Sequence, residues 1–226
     1  MESGTLYVVG TPIGNLGDIT LRALETLKAV DFILAEDTRV TKKLLMKYEI
    51  KVSVYSAHEH TEAKKLESFL ARVEAGESVA IVTDAGTPGL SDPGQAIVSL
   101  TIARGITVVP IPGVSAVATL VSVAGIDMRE FLFLGFPPHK KGRETFFKRV
   151  VASDVPVMYY ESPHRLMKNL ELLQSFAPEM NIIIGRELTK MYEEIVRGNV
   201  AEVITYFTEH PDKVKGEFSV ITYTQK

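Results

Sequence analysis

The chain contains no cysteine, which excludes a thiol nucleophile, a thiolate metal site and a disulfide framework. It also lacks tryptophan. No stretch approaches the ~20 consecutive apolar residues that a membrane span requires; the longest candidate, residues 108–124, is broken by Pro110, Pro112 and Gly113. The first residues carry no basic segment ahead of the apolar run 6–9, so no signal peptide is expected there. A large charge of either sign is missing too. The 25 Lys and Arg against 28 Asp and Glu leave a net charge of −3, which argues against nonspecific coating of nucleic acid. The expectation is a soluble, cytoplasmic protein without a membrane partner.

What is present is a chain of 226 residues, 46% hydrophobic and 23% charged. That is long enough for a sizeable core in one large or two small domains, and too apolar for a disordered chain. Short β-branched runs alternate with helical periods, the pattern of α/β architecture. Strands are predicted at residues 5–9, 32–35, 52–55, 79–82 and 107–109, with helices at 21–30, 38–48, 61–75 and 93–104. Such alternation requires a mostly parallel sheet buried on both faces. After Pro110-Ile-Pro-Gly113 the texture changes. A small-residue helix is predicted at 114–124, strands at 131–134, 157–160, 182–184, 194–197 and 218–223, and helices at 143–151, 163–176 and 200–209. Several of these strands follow one another through short turns, so the second sheet should be mixed. Ser162-Pro163 reads as an N-cap followed by Pro at the first helical position. The boundary is set near Gly113, giving domains 1–113 and 114–226. The first has 11 basic and 14 acidic residues, the second 14 of each, so neither is a basic nucleic-acid module by itself.

Three segments carry chemistry. Gly10-Thr-Pro-Ile-Gly14-Asn-Leu-Gly17-Asp18 follows a predicted strand, where ligands of parallel sheets sit, and its glycines let backbone approach a ligand closely. Its spacing fits neither a dinucleotide fingerprint nor a phosphate-binding loop, and a plain turn is the alternative. The segment from Thr83 to Gly94 packs three Gly, two Pro, two Asp and two Thr into twelve residues. It is a long, stiffened loop of the kind that binds something, with Asp92 and Pro93 available to start the next helix. Pro112-Gly-Val-Ser-Ala116 opens the small-residue helix, either as an anion-binding helix start or simply for close packing.

These segments, together with residues 6–20, Ala35-Glu-Asp-Thr-Arg39, Tyr160-Glu-Ser-Pro-His-Arg165, Gly185-Arg-Glu-Leu-Thr189 and Lys215-Gly-Glu-Phe218, resemble the ribosomal RNA small subunit methyltransferase I family. The match runs over nearly the whole chain in the right order. The resemblance implies two α/β domains of the tetrapyrrole-methylase type, S-adenosylmethionine in a cleft between them, and a homodimer. It implies 2′-O-methylation of a cytidine ribose near the decoding centre of 16S ribosomal RNA, either free or in the assembled small subunit. It assigns cofactor contacts to Pro12 and Ile13, to Ala85, Gly86, Thr87 and Leu90, and to Ser115 and Ala116. In the second domain it assigns them to Tyr160, Glu161, Arg186, Glu187 and the turn around Gly216. Thr87 stands where the wider fold commonly has Asp, so that contact does not carry over; Asp84 is counted among the cofactor-binding positions, and whether it takes the place of that Asp stays open.

Methyl transfer from a sulfonium is an in-line displacement governed by positioning, and it requires no metal. A ribose hydroxyl gains from a general base. Asp37 is the first candidate for that base, with Arg39 to hold an RNA phosphate; the equal alternative is that Asp37 or Thr38 serves only to cap the following helix. His58-Glu59-His60 offers two histidines on one side of an extended segment, but no third metal ligand is evident. For RNA, Pro138-His139-Lys140-Lys141-Gly-Arg143 runs on through Phe146-Phe147 to Lys148-Arg149, mixing cations for phosphates with aromatics for bases. Lys42, Lys43 and Lys47 beside Arg39 form a second set, the alternative for both being ordinary solvated helix faces with Phe146 and Phe147 partly in the core; His164 and Arg165 either reach RNA or cap local backbone. Two other functions stay open: a methyltransferase of the same fold acting on a small tetrapyrrole-like molecule, and a noncatalytic ribosome-binding factor.

Overall fold

The computed structural model describes residues 3–57, 61, 63–91 and 94–224. It divides into two compact units, Met1–Ser115 and Ala116–Lys226. The first unit holds a sheet of β1 (Thr5–Val9), β2 (Phe32–Ala35), β3 (Ser53–Ser56), β4 (Val79–Val82) and β5 (Thr107–Ile111). Their order is β3-β2-β4-β1-β5, and every pairing is parallel. The unbroken apolar runs of β2 and β4 follow from this position, since every residue of both strands is buried. Alternate residues feed opposite faces. Ile33, Ala35, Ala80 and Val82 pack on Leu27 of α1 (Leu21–Ala29) and Leu44 and Leu45 of α2 (Thr38–Lys47). Phe32, Leu34, Val79 and Ile81 pack on Phe69, Leu70 and Val73 of α3 (Ala63–Glu74) and Ile97 of α4 (Gln95–Ala103). The result is a three-layer unit with two cores.

The second unit is built on β6 (Leu132–Phe133), β7 (Val157–Glu161), β8 (Asn181–Arg186), β9 (Glu194–Asn199) and β10 (Phe218–Tyr223), ordered β6-β7-β10-β8-β9. Only β6 and β7 are parallel; β7-β10, β10-β8 and β8-β9 are antiparallel, so the sheet is mixed as expected. One face carries α6 (Arg143–Val151), α7 (Leu166–Phe176) and α8 (Val200–Glu209), whose Phe147, Leu170, Leu173, Val203 and Phe207 close over Tyr159, Ile182 and Val220. The small-residue helix is α5 (Ala116–Ser122), only seven residues long. Its Leu120 lies so near Gly185 that a Cβ there would come within 2.9 Å of a Leu120 methyl.

Two sequence expectations need correction. Ser162-Pro163 does not open α7: residues 163–165 form a turn, in which the Arg165 and Leu166 amides donate to the Ser162 carbonyl, and the helix starts at Leu166. Phe147 is fully buried, and Phe146 stacks edge-on against Tyr159, so neither faces outward to meet a base. His58, Glu59, His60, Asp92 and Pro93 lie outside the described residues. Among the described residues no group of His, Asp and Glu could hold a metal, and no helix is long and apolar enough to cross a membrane.

Candidate active site

Parallel register sets the loops of the first unit side by side. Val9 lies opposite Ile111 and Val8 opposite Ile81, so the loops leaving β1, β4 and β5 start at one level along the carboxyl edge. Glycine lets them touch. A Cβ on Gly10 would fall 2.7 Å from the Gly113 amide nitrogen and 2.8 Å from its Cα, and the reciprocal clash holds for Gly113. The Gly10 amide donates to the Ile111 carbonyl at 2.9 Å. Across the other seam, Thr11 and Gly86 exchange two backbone hydrogen bonds, of 2.9 and 3.0 Å. The buried Thr11 hydroxyl donates to the Thr83 carbonyl at 3.2 Å. Gly86 takes φ +81°, a conformation glycine adopts without strain, and a Cβ there would press on Ile13 at 3.3 Å. Thr87 reaches over to the Val114 carbonyl at 3.4 Å.

Of the residues assigned to the cofactor, Pro12, Ile13 and Gly86 are thus the buried floor of this edge. Asp84, Ala85 and Thr87 are exposed above it, and Leu90 and Ser115 are half-buried at its margin. Asp84 is exposed, and its Oδ1 accepts the Asp37 amide at 2.9 Å, tying the β4 loop to the start of α2. The buried Thr11, which ties two loops together, is a site residue that sequence reasoning missed; it stands inside the first glycine loop, and nothing local marks its long-range partners.

Asp37 is the N-cap of α2. Its Oδ1 accepts the Arg39 amide at 2.8 Å, and both oxygens face the Arg39 guanidinium, with Nη2 to Oδ2 at 2.6 Å. This pair holds the Asp37 carboxyl down at about 2, chiefly through the side-chain hydrogen bond from Arg39. The Arg39 side chain is 86% exposed, and Lys42 and Lys43 are exposed further along the helix.

In the second unit, Glu161, Phe218 and Arg186 sit opposite one another across β7, β10 and β8, so Glu161, Arg186, Glu187 and Gly216 gather at one edge. Most of their polar atoms face inward. Buried Glu161 accepts from the Asn169 amide group and from the Ser162 amide, with Arg165 3.8 Å away; burial nonetheless pushes its carboxyl up. Arg186 donates to the Lys215 and Tyr192 carbonyls, each at 3.1 Å. Glu187, at φ +51°, accepts the Glu217 amide at 2.9 Å and pairs with Lys190 at 3.0 Å. Gly216 takes φ +88°, a conformation that favours glycine, and a Cβ there would also meet the Glu187 carboxylate. Tyr160 instead points to Phe133 and Phe136. Arg165 is held by the Ser162 hydroxyl and the Pro137 carbonyl. His139, Lys140, Lys141 and His164 are exposed, and Arg143 is half-buried with no hydrogen-bond partner on Nε.

Comparison with known proteins bears on this geometry. The chain resembles the solved structure of a cobalamin biosynthetic enzyme, cobalt precorrin-4 methyltransferase, with a TM-score of 0.70 over 96% of this chain and 94% of the other at 17% identity, a likeness of fold. A family model described as Tetrapyrrole (Corrin/Porphyrin) Methylases matches residues 5–204. The protein is therefore a methyltransferase that depends on S-adenosylmethionine. It is 47% identical over 220 residues to "Ribosomal RNA small subunit methyltransferase I" of Borrelia garinii subsp. bavariensis, covering 96% of this chain and 97% of that one. It is 43% identical over 227 residues to the protein of that name from Escherichia coli O157:H7, covering 100% of this chain and 79% of the relative. The chain belongs to the tetrapyrrole methylase family and, within it, to the ribosomal RNA small subunit methyltransferase I group.

The carboxyl edge of the first sheet fits such a cofactor. Glycine removes the Cβ atoms that would fill the approach to the backbone. Residues 10–19, 83–91 and 110–115 contain no Lys or Arg to repel a sulfonium cation.

Proposed function

We propose that this protein methylates the ribose 2′-oxygen of a cytidine in 16S ribosomal RNA near the decoding centre. The reading is supported above all by its match, over nearly its whole length, to relatives named for small-subunit ribosomal RNA methylation. When bound, S-adenosylmethionine supplies an electrophilic methyl group on a sulfonium. The chain's own residues do the rest. Pro12, Ile13, Asp84, Ala85, Gly86, Thr87, Leu90 and Ser115 hold the cofactor on the carboxyl edge of the first sheet. Ala116, Tyr160, Glu161, Arg186, Glu187 and Gly216 are further cofactor-binding positions. Glu161, Arg186 and Glu187 act mainly by fixing backbone, given their internal partners.

At the acceptor, the exposed Arg39 guanidinium grips an RNA phosphate, a bidentate match to its geometry. A phosphate that draws Arg39 away lets the Asp37 carboxyl rise from about 2 toward its ordinary range. Asp37 then becomes a better acceptor for the ribose hydroxyl proton. Lys42 and Lys43 extend the phosphate track, as do His139, Lys140, Lys141, Arg143 and His164 on the second unit, with Arg165 shaping the turn beside them. The working form is a cytoplasmic homodimer that meets the RNA in small subunits.

The test is transfer of labelled methyl from S-adenosylmethionine to small subunits lacking the modification, followed by alkaline hydrolysis. A labelled, alkali-resistant dinucleotide is expected, because a blocked 2′-oxygen cannot cleave its neighbouring phosphodiester. Label in an alkali-labile mononucleotide would point to base methylation, and label only in small molecules would point to a tetrapyrrole-like acceptor.

A further inference from the structure

The aromatic residues inside the basic segment face the core, yet one aromatic just before it does not. Phe136 is 52% exposed. It lies shortly after the edge strand β6. The chain keeps pace with β7 for two more residues: the Leu134 amide donates to the Met158 carbonyl, and the Tyr160 amide donates to the Gly135 carbonyl, both at 2.9 Å. Gly135 then turns the chain with φ +64° and sets the Phe136 ring against Tyr160, centroids 5.3 Å apart and planes tilted by 53°. Tyr160 is backed in turn by Phe133 at 5.1 Å. The exposed ring is therefore backed by Tyr160, and Tyr160 in turn by Phe133.

The surroundings are cationic. Residues 137–142 leave Phe136 as a short loop that folds back on itself, with Gly142 at φ +89° against the Pro138 ring. It presents His139, Lys140 and Lys141 to solvent. Among the described residues neither lysine takes part in an ion pair. Arg165, in the turn that carries exposed His164, donates to the Pro137 carbonyl at 2.8 Å and brings that turn alongside.

We propose that Phe136, supported by Tyr160 and Phe133, is a stacking platform for one unpaired nucleobase of the RNA substrate, the surrounding cations taking the flanking phosphates. A supported ring with an open face and a cationic rim is the arrangement by which proteins hold single-stranded nucleic acid without reading its sequence. This rests on the reading of RNA as the acceptor, and it sets the platform against Tyr160, itself one of the proposed cofactor-binding positions.

The test uses the absence of tryptophan. Phe136→Trp makes a single fluorescent reporter at the platform. Its emission should be quenched by a single-stranded oligoribonucleotide carrying the target cytidine and its neighbours, and much less by the same strand with abasic positions. Phe136→Ala should weaken binding of that oligoribonucleotide about 10- to 100-fold, the range for removing one base–aromatic stack. The salt dependence should stay unchanged. Lys140→Ala with Lys141→Ala should instead flatten the salt dependence, by roughly 0.7 in log–log slope for each phosphate that is no longer neutralised on a single strand. Equal quenching by intact and abasic strands would overturn the platform. So would wild-type RNA affinity in Phe136→Ala, or a change of oligomeric state, which would make Phe136 a protein–protein contact. Failure of the unaltered protein to methylate any small-subunit RNA would count against the substrate reading. Normal methylation with an indifferent Phe136 would count against the platform alone.

Discussion

Gly10→Ala attacks the point where the loops after β1 and β5 meet. The new Cβ would lie 2.7 Å from the Gly113 nitrogen and 2.8 Å from its Cα, and both obstacles are backbone that no rotamer change can move. The strand ends must part by several tenths of an ångström, against the Gly10–Ile111 hydrogen bond of 2.9 Å. Overpacking of this kind costs about 1–3 kcal/mol, or a drop of about 2–12 °C in Tm for a chain of this size. Because the same two segments flank the cofactor edge, S-adenosylmethionine affinity should fall at least about tenfold, or about 1.4 kcal/mol. Gly105→Ala is the matched control. It places Ala at φ +68° with nothing within 4 Å, near the amino end of β5, so it costs about 1–2 kcal/mol through backbone strain alone. Calorimetric titration and thermal unfolding of both variants separate the effects. Comparable stability loss in the two is expected, with normal cofactor binding in Gly105→Ala and impaired binding in Gly10→Ala. Wild-type affinity in Gly10→Ala would refute the placement of the cofactor on this seam.

Three other outcomes follow from the same geometry. The Asp37 carboxyl should titrate near 2 by NMR, and Arg39→Ala should return it to the ordinary carboxylate range near 4. Since its folded value lies below its unfolded one, its contribution to stability is present above about pH 4 and fades as pH falls through about 2. Glu161→Gln should be nearly neutral in stability at pH 7, because it removes a buried charge while its Oε1 accepts the Ser162 amide and its Nε2 donates to the otherwise unpartnered Asn169 Oδ1 once that amide turns over; Glu161→Leu should cost about 1–3 kcal/mol in chemical denaturation by leaving the Ser162 amide and Asn169 unpaired. Phe147→Ala should cost about 3–5 kcal/mol because its ring is fully buried among α6, α7 and the second sheet, whereas exposed Phe136→Ala should shift the denaturation midpoint little.

The first sheet was readable because its strands are buried on both faces. Residues 32–35 and 79–82 spell that burial directly, and the caps Thr20 and Asp37 act on amides two or three residues away. The mixed character of the second sheet showed in its short turns, but its strand order did not, since β10 inserts between β7 and β8 by pairing across long sequence separations. The Ser162-Pro163 signal misled for a similar reason: the Ser162 carbonyl accepts two amides in a turn whose Arg165 is drawn to Pro137, 28 residues back. Within the candidate site the glycine loops were evident from composition. The inward engagement of Arg186, Glu187 and Arg165 was not, because it depends on carbonyls and amides from distant segments. Phe136 carries no local mark of its own; it is distinguished by its exposure where Phe146 and Phe147 pack on the core.

The most direct test is amide hydrogen exchange of the unaltered protein with and without saturating S-adenosylmethionine. Slowed exchange concentrated in residues 10–14, 84–90 and 113–116 is the expected result. Unchanged exchange in those segments, with protection instead around Asp127, Arg129 and Tyr223, which line a cavity of about 690 Å³ in the second unit, would contradict the placement of the methyl donor on the first sheet.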